Sequence, residues 1–244
     1  YERLLNYVVV RTPSDENSET VPSSACQFNL ARLLEAEMKE LGLTDVILDD
    51  QCYLYGKLPA TEGLEDKPAI GFIAHMDTVS DFCDHDIKPI VTENYDGGEL
   101  RLGTSDTILS PKNFPHLADL KGRTLITSDG TTVLGADDKA GIAEIMTMIE
   151  RVQEEKIPHG PLCVAFTPDE ETGTGAAHFD IDKFRNDYNA LYAKKEALQK
   201  TYKSAEKDIQ ALNRKLDNLN QYLDRTPGQE QTTNRKPEKD FTTL

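Results

Sequence analysis

The stretch that most constrains this chain is Gly135-Ala136-Asp137-Asp138-Lys139-Ala140-Gly141. It joins an extended segment to an apolar-periodic one, which predicts a strand-to-helix turn. Its small residues let the backbone turn tightly and pack closely. Two acids at a helix start are favoured by the helix dipole, and alone the pair reads as an N-cap. Two further acid-bearing stretches each follow a short apolar run: Ala74-His75-Met76-Asp77 and Thr167-Pro168-Asp169-Glu170-Glu171-Thr172-Gly173. Three such turns predict a carboxylate-rich metal site at one edge of a sheet.

Strand and helix signals around the turns agree with this. Ala69–Ala74 is a continuous apolar run that predicts a strand buried on both faces. Leu162–Phe166 predicts a second one. Between them, Ile142, Ile145, Met146, Ile149 and Val152 recur at helical spacing and predict a helix over 138–154. Strand, helix, strand in this order predicts an α/β architecture with a mixed, largely parallel sheet flanked by helices. Upstream, residues 1–10 are ambiguous by pattern, and the expectation leans towards a short helix running into Arg11-Thr12-Pro13, which breaks it. An amphipathic helix covers 23–41, with Gln27, Ala31, Leu34, Met38 and Leu41 on one face and Gly42 as its stop. Val46–Leu48 and Tyr53–Gly56 form a hairpin. Residues 80–127 are a polar excursion with short strands at 99–102 and 124–127.

Composition breaks near residue 184. The net charge is −16, but residues 1–184 hold 15 Lys and Arg against 34 Asp and Glu, while residues 185–244 hold 12 against 9. Phosphate binding needs clustered Lys and Arg, so the acidic part is expected to bind no nucleic acid. No apolar run reaches the length of a membrane span, and no signal-peptide pattern stands at the start. The four cysteines show no metal-type pairing, so a reducing cytoplasm is the expected compartment.

From Tyr188 a heptad takes over. Tyr188, Lys195, Tyr202, Ile209, Leu216 and Leu223 fall at a, and Leu191, Leu198, Ala205, Leu212 and Leu219 at d. The expected organisation is therefore an α/β domain over 1–184, a long coiled-coil helix over 185–225 that could form an oligomer, and a polar, disordered tail over 226–244.

Metal-dependent hydrolysis of a peptide bond needs a Lewis acid, an activated water and a base. Two zinc ions ~3.5–4 Å apart can share a carboxylate, and Asp137 is placed for that. His75 offers a neutral imidazole, and Asp77, two residues on, can fix its tautomer. Glu170 and Glu171 are adjacent and point apart on an extended segment. One can bind metal while the other faces the water. Gly173-Thr174-Gly175-Ala176-Ala177 suggests a nucleotide-binding loop instead, but no Lys follows at P-loop spacing.

Taken together, Asn6–Arg11, Gly71–Thr78, Leu134–Gly141 and Ala165–Glu171 resemble the M20 family of zinc peptidases, and the spacings between them fit as well. The resemblance runs from Tyr1 to about Phe184 and implies part of an M20 catalytic domain. It implies that His75 ligates one zinc, Asp137 bridges two, Glu171 ligates the second, Asp77 orients His75, and Glu170 is the general base. The implied reaction is release of the N-terminal residue of a tripeptide, a small peptide substrate. The family also uses a further Asp after the Glu pair and a late His. Here the corresponding stretch is Leu191-Tyr192-Ala193-Lys194-Lys195, and no His follows His178. The chain is therefore expected to be inactive alone. Residues 185–225 weakly resemble coiled-coil tails of relaxases, which makes a non-catalytic interaction protein the alternative reading.

Overall fold

The computed structural model describes residues 1–175, 179 and 200–215. The chain divides into two units, Tyr1–Phe179 and Asp180–Leu244.

The first unit is built on a four-stranded sheet. Its strands are β1 (Thr44–Leu48), β2 (Leu54–Leu58), β3 (Ile70–His75) and, much later in the chain, β8 (Leu162–Thr167), in the order β1-β2-β8-β3. Three helices, α1 (Glu2–Val8), α2 (Gln27–Glu40) and α3 (Ala136–Glu154), accompany it. The excursion between β3 and α3 forms two small antiparallel ribbons. One pairs β4 (Ile90–Thr92) with β7 (Leu125–Thr127), the other β5 (Leu100–Arg101) with β6 (Ile108–Leu109). A 3-10 turn covers Pro115–Leu120.

Strand alternation explains the core. Leu54 and Leu58 of β2, Leu162, Val164 and Phe166 of β8, and Ala74 of β3 share one face. They are buried with Tyr7 of α1, with Leu30, Ala31, Leu34 and Met38 of α2, and with Ile142, Met146 and Ile149 of α3. The apolar stripes of α2 and α3 are those their spacing predicts. Arg3 ties the three helices together: its guanidinium donates to Glu37 at 2.6 Å and to Glu150 at 2.7 Å. Those carboxylates, Glu150 first, hold it charged despite its partial burial.

Two expectations need correction. The sheet is mixed but not largely parallel: β1–β2 and β2–β8 are antiparallel, and among the described strands only β3–β8 is parallel. One strand–helix–strand crossover is present, and the hairpin fills the rest of the sheet. β3 is also not buried on both faces. Ile70 is 56% exposed and Ile73 55% exposed. The run is as apolar as β8, yet β8 is buried along its whole length. The difference is position: β8 has a neighbour on each side, whereas β3 stands at the edge of the described sheet.

Helix α2 starts at Gln27, four residues later than the expected span of 23–41. Its N-cap is Cys26, and no side chain caps it. Ser23 is engaged elsewhere, as described below.

In the second unit residues 200–215 are helical and exposed throughout. Tyr202, Ile209 and Leu212, which occupy heptad core positions, are 71%, 57% and 62% exposed. The remainder of the expected coiled coil and the 226–244 tail lie outside the described residues. None of the described helices is long and apolar enough to cross a membrane.

Candidate metal centre

Because β3 and β8 run parallel with His75 opposite Thr167, the two segments that follow them leave the sheet at the same edge. The first carries Asp77 and the second Glu170 and Glu171. Ligand sites of open α/β sheets lie outside such carboxyl ends. Residues 12–14 fasten the first segment. Thr12 Oγ1 donates to the Met76 carbonyl at 2.7 Å, and the backbone N–H of Thr78 donates to Thr12 at 3.0 Å.

The Gly135 turn brings in the third element. Gly135 has φ +72°, and a Cβ there would stand 2.8 Å from Thr78 Cγ2. Only glycine meets both demands, and the turn consequently sits directly against the end of β3. The two acids after it take different roles. Asp137 and Asp138 have non-helical backbone, so the regular helix begins at Lys139. Asp138 Oδ1 accepts from the Gly141 N–H at 3.1 Å, which makes it an N-cap on the third helical residue. Burial lifts its pKa above the usual carboxylate range. Asp137, its side chain 88% exposed, turns instead to His75, with Oδ1 3.1 Å from Nε2. Replacing Asp138 by alanine removes the cap and is expected to cost about 1 kcal/mol, read as a lower urea midpoint. An unchanged midpoint would mean that the cap contributes nothing.

His75 is the centre of the cluster. Its Nδ1 lies 3.1 Å from the Asp77 carbonyl and 3.3 Å from the Asp77 carboxylate. Its Nε2 faces Asp137 and, at 3.7 Å, Glu170. Asp77 is fully buried. Beyond His75 it accepts the Glu170 N–H at Oδ1 (3.0 Å) and the Glu171 N–H at Oδ2 (3.1 Å). One carboxylate thus links the imidazole to the Glu170–Glu171 turn. The structure brings His75, Asp77, Asp137 and Glu170 together, and it attaches Glu171 through its backbone. The Glu171 carboxyl is raised, chiefly by desolvation. The charges of Asp77, Asp137 and Glu170 add to this, and His75 opposes it.

Burial disfavours a charge on His75, but Asp77, then Asp137 and Glu170, outweigh it and push the imidazolium pKa up to about 9. The surroundings therefore favour positive charge at Nε2, and the donor set of one imidazole and several carboxylates suits a divalent cation. The fit is one of charge and donor type. Among the described residues no three His, Cys, Asp or Glu side chains already stand at coordinating positions.

The pH dependence of the metal-free chain follows. A histidine raised from 6.5 to about 9 binds its proton more tightly folded than unfolded. Its contribution is complete below pH 6.5 and is lost by about pH 9, up to ~3 kcal/mol in all. Lys139 has the opposite sign. It is fully buried and donates to the Val10 carbonyl at 2.7 Å. Desolvation brings it down to about 8, against the pull of Cys83, Cys26 and Asp77. Its effect is stability that rises as pH passes from 8 towards 10.5. Urea midpoints measured with chelator are expected to fall between pH 6.5 and 8, to level off between 8 and 9, where the two groups oppose each other, and to rise again above 9 as far as Lys139 dominates. A rise between 6.5 and 8 would contradict the His75 assignment.

Sequence reasoning gave Asp169, Ser23 and Gln27 no role at the site. Asp169 is fully buried and bonded to both of the others. The available signal was a polar Gln27 on the otherwise apolar face of α2. The described part of the Gly173–Ala177 stretch, residues 173–175, also has a different use. The Gly175 N–H donates to the Asp169 carbonyl at 2.8 Å and its carbonyl accepts Tyr53 OH at 2.7 Å, so this glycine closes the Glu170–Glu171 turn.

An α/β sheet with His, Asp and Glu donors gathered at its carboxyl edge is the kind of scaffold that M20 peptidases offer. Comparison with known proteins narrows the class: the chain is a relative of peptidase T. It is 54% identical over 189 residues to peptidase T of Desulfitobacterium hafniense, covering 77% of this chain and 46% of that protein. Peptidase T of Alkaliphilus oremlandii is 50% identical over 190 residues, with the same coverage. Peptidase T of Escherichia coli is 52% identical over 183 residues, covering 75% and 45%. The chain thus spans about half the length of the curated relatives it matches. Among solved structures, aminopeptidase PepT from Bacillus cereus aligns at a TM-score of 0.49 and 30% identity over 75% of this chain and 40% of that one. No protein-family model matches the chain.

Proposed function

We propose that residues 1–184 carry part of a zinc-dependent aminopeptidase site that releases the N-terminal residue of tripeptides in the cytoplasm, and that this part is inactive alone. The observation that carries the reading is His75, held by Asp77 and facing Asp137 and Glu170. Zinc would be held by His75 Nε2, Asp137 and Glu171, and when bound it supplies Lewis acidity and lowers the pKa of water to about 7. Asp77 accepts from Nδ1–H and so leaves the Nε2 lone pair free to ligate. Glu170, 58% exposed, is open to substrate and to water. It takes the proton of the attacking water and returns it to the leaving amine. Catalytic zinc usually has three protein ligands. By resemblance the further Asp and the late His are not supplied by residues 1–184.

The test is hydrolysis of an unblocked tripeptide by the pure chain with zinc, and again with a fragment of Desulfitobacterium hafniense peptidase T that supplies the remaining length. No cleavage alone and cleavage in the mixture, abolished by chelator and by Glu170→Ala, is expected. Cleavage that survives both controls refutes the assignment.

A second reading is favoured by the exposed Tyr202, Ile209 and Leu212 on the 200–215 helix. Such residues at a and d positions bury themselves against another copy in a coiled coil. Sedimentation should then show a concentration-dependent oligomer that becomes monomeric when 185–244 is deleted. A monomer at all concentrations removes this reading.

A further inference from the structure

We propose that Asp169, clamped by Ser23 and Gln27 at the entrance to α2, is a positioning residue that sets the Glu170–Glu171 turn against Asp77. The inference rests on the reading of that turn as part of the site.

Every polar group of Asp169 is committed. Oδ2 accepts the Ser23 N–H at 2.7 Å, and Oδ1 accepts Ser23 Oγ at 2.5 Å and Gln27 Nε2 at 2.6 Å. Its own N–H donates to Gln27 Oε1 at 3.3 Å. Its carbonyl accepts the Gly175 N–H at 2.8 Å and Thr172 Oγ1 at 3.1 Å. Gln27 thus grips both the side chain and the backbone of Asp169. The residue also has φ +54°, a left-handed conformation that Asp and Asn tolerate and most side chains do not.

A fully buried carboxylate is costly unless it is well hydrogen-bonded, and here its three donors are neutral groups of one short segment, Ser23 and Gln27. What the clamp achieves is geometric. The next two residues present their N–H groups to the two oxygens of Asp77. The turn is therefore fixed on one side by α2 and on the other by the carboxylate that orients His75. Asp169 touches neither His75 nor Asp137 in any described contact. Its influence on the site passes through the backbone of Glu170 and Glu171.

The experiment is residue-resolved amide hydrogen exchange by NMR on the full chain without metal, comparing Asp169→Asn and Gln27→Met with the parent. Asparagine tolerates the left-handed backbone, and methionine keeps the bulk of Gln27 on the helix. The expected result is at least tenfold faster exchange at Glu170 and Glu171, with Val164 and Ala165 of β8 and Leu34 of α2 unchanged. Unchanged exchange at 170 and 171 overturns the proposal. An equal acceleration throughout β8 and α2 also overturns it, because the clamp would then be general support. If Asp169→Asn does not fold, Gln27→Met supplies the same comparison. The readout needs neither metal nor turnover. Selective acceleration beside an inactive mixture with the complementary fragment would therefore leave the clamp standing and remove the catalytic reading of Glu170.

Discussion

Asp77→Asn is expected to destabilise the chain by about 3 kcal/mol. Each oxygen of the buried Asp77 accepts a backbone N–H, Oδ1 from Glu170 and Oδ2 from Glu171, and Oδ1 also faces His75. An asparagine amide can replace only one of these oxygens with a like group. The other becomes an NH2 that points at a backbone donor, and no rotation removes the conflict, since both positions are occupied by N–H groups. His75 loses its strongest charged partner in the same step. The urea midpoint should fall by about 1.5 M for an ordinary m-value of about 2 kcal/mol/M. The His75 titration, followed by NMR, should drop from about 9 towards or below the ordinary histidine value, because burial then acts with less opposition. A loss under 0.5 kcal/mol with an unshifted histidine would show that Asp77 is not the link between the two segments.

The second large effect is expected at Gly175. A Cβ at this position would lie 2.0 Å from the Pro168 carbonyl oxygen and 2.9 Å from the Asp169 carbonyl carbon. Both are backbone atoms of the turn that the Gly175 N–H itself closes, so no side chain can move aside. Gly175→Ala should cost about 2–4 kcal/mol and loosen residues 168–171 specifically. Gly173→Ala is the matched control. Gly173 has φ +72° but nothing within 4 Å of a built Cβ, so its substitution should cost only the left-handed penalty of about 1 kcal/mol. Thermal unfolding of the pair decides the matter: Gly175→Ala must be the more damaging, and the reverse order would refute the steric account.

The sequence made some elements legible and concealed others for identifiable reasons. Ile142, Ile145, Met146 and Ile149 announce α3 because helical spacing is a local property, and the same holds for Leu30, Ala31, Leu34 and Met38 of α2. The three acid-bearing turns were visible because each directly follows a strand or precedes a helix. Sheet order is not local. Ala69–Ala74 and Leu162–Phe166 look alike as apolar runs, and nothing in the first shows that it stands at the edge of the described sheet. The division of labour between Asp137 and Asp138 was hidden too. Adjacent identical residues differ only in where the backbone aims them, and the non-helical conformation of both is not written in their local sequence. Ser23 stands where the helix over 23–41 is expected to begin, and it serves Asp169 instead, a partner 146 positions away.

That separation has a consequence for how the chain reaches its final form. Asp77 and the Glu170 N–H it holds are 93 positions apart, and His75 and Asp137 are 62 apart. The contacts that make the site are thus long-range, and all depend on β3 finding β8 in parallel register. Closing loops of this length brings an entropic penalty before any contact can offset it, and topologies rich in distant parallel pairing fold slowly. The helices α2 and α3 can form from local signals early. The cluster around His75 therefore assembles only once that distant pairing has been made.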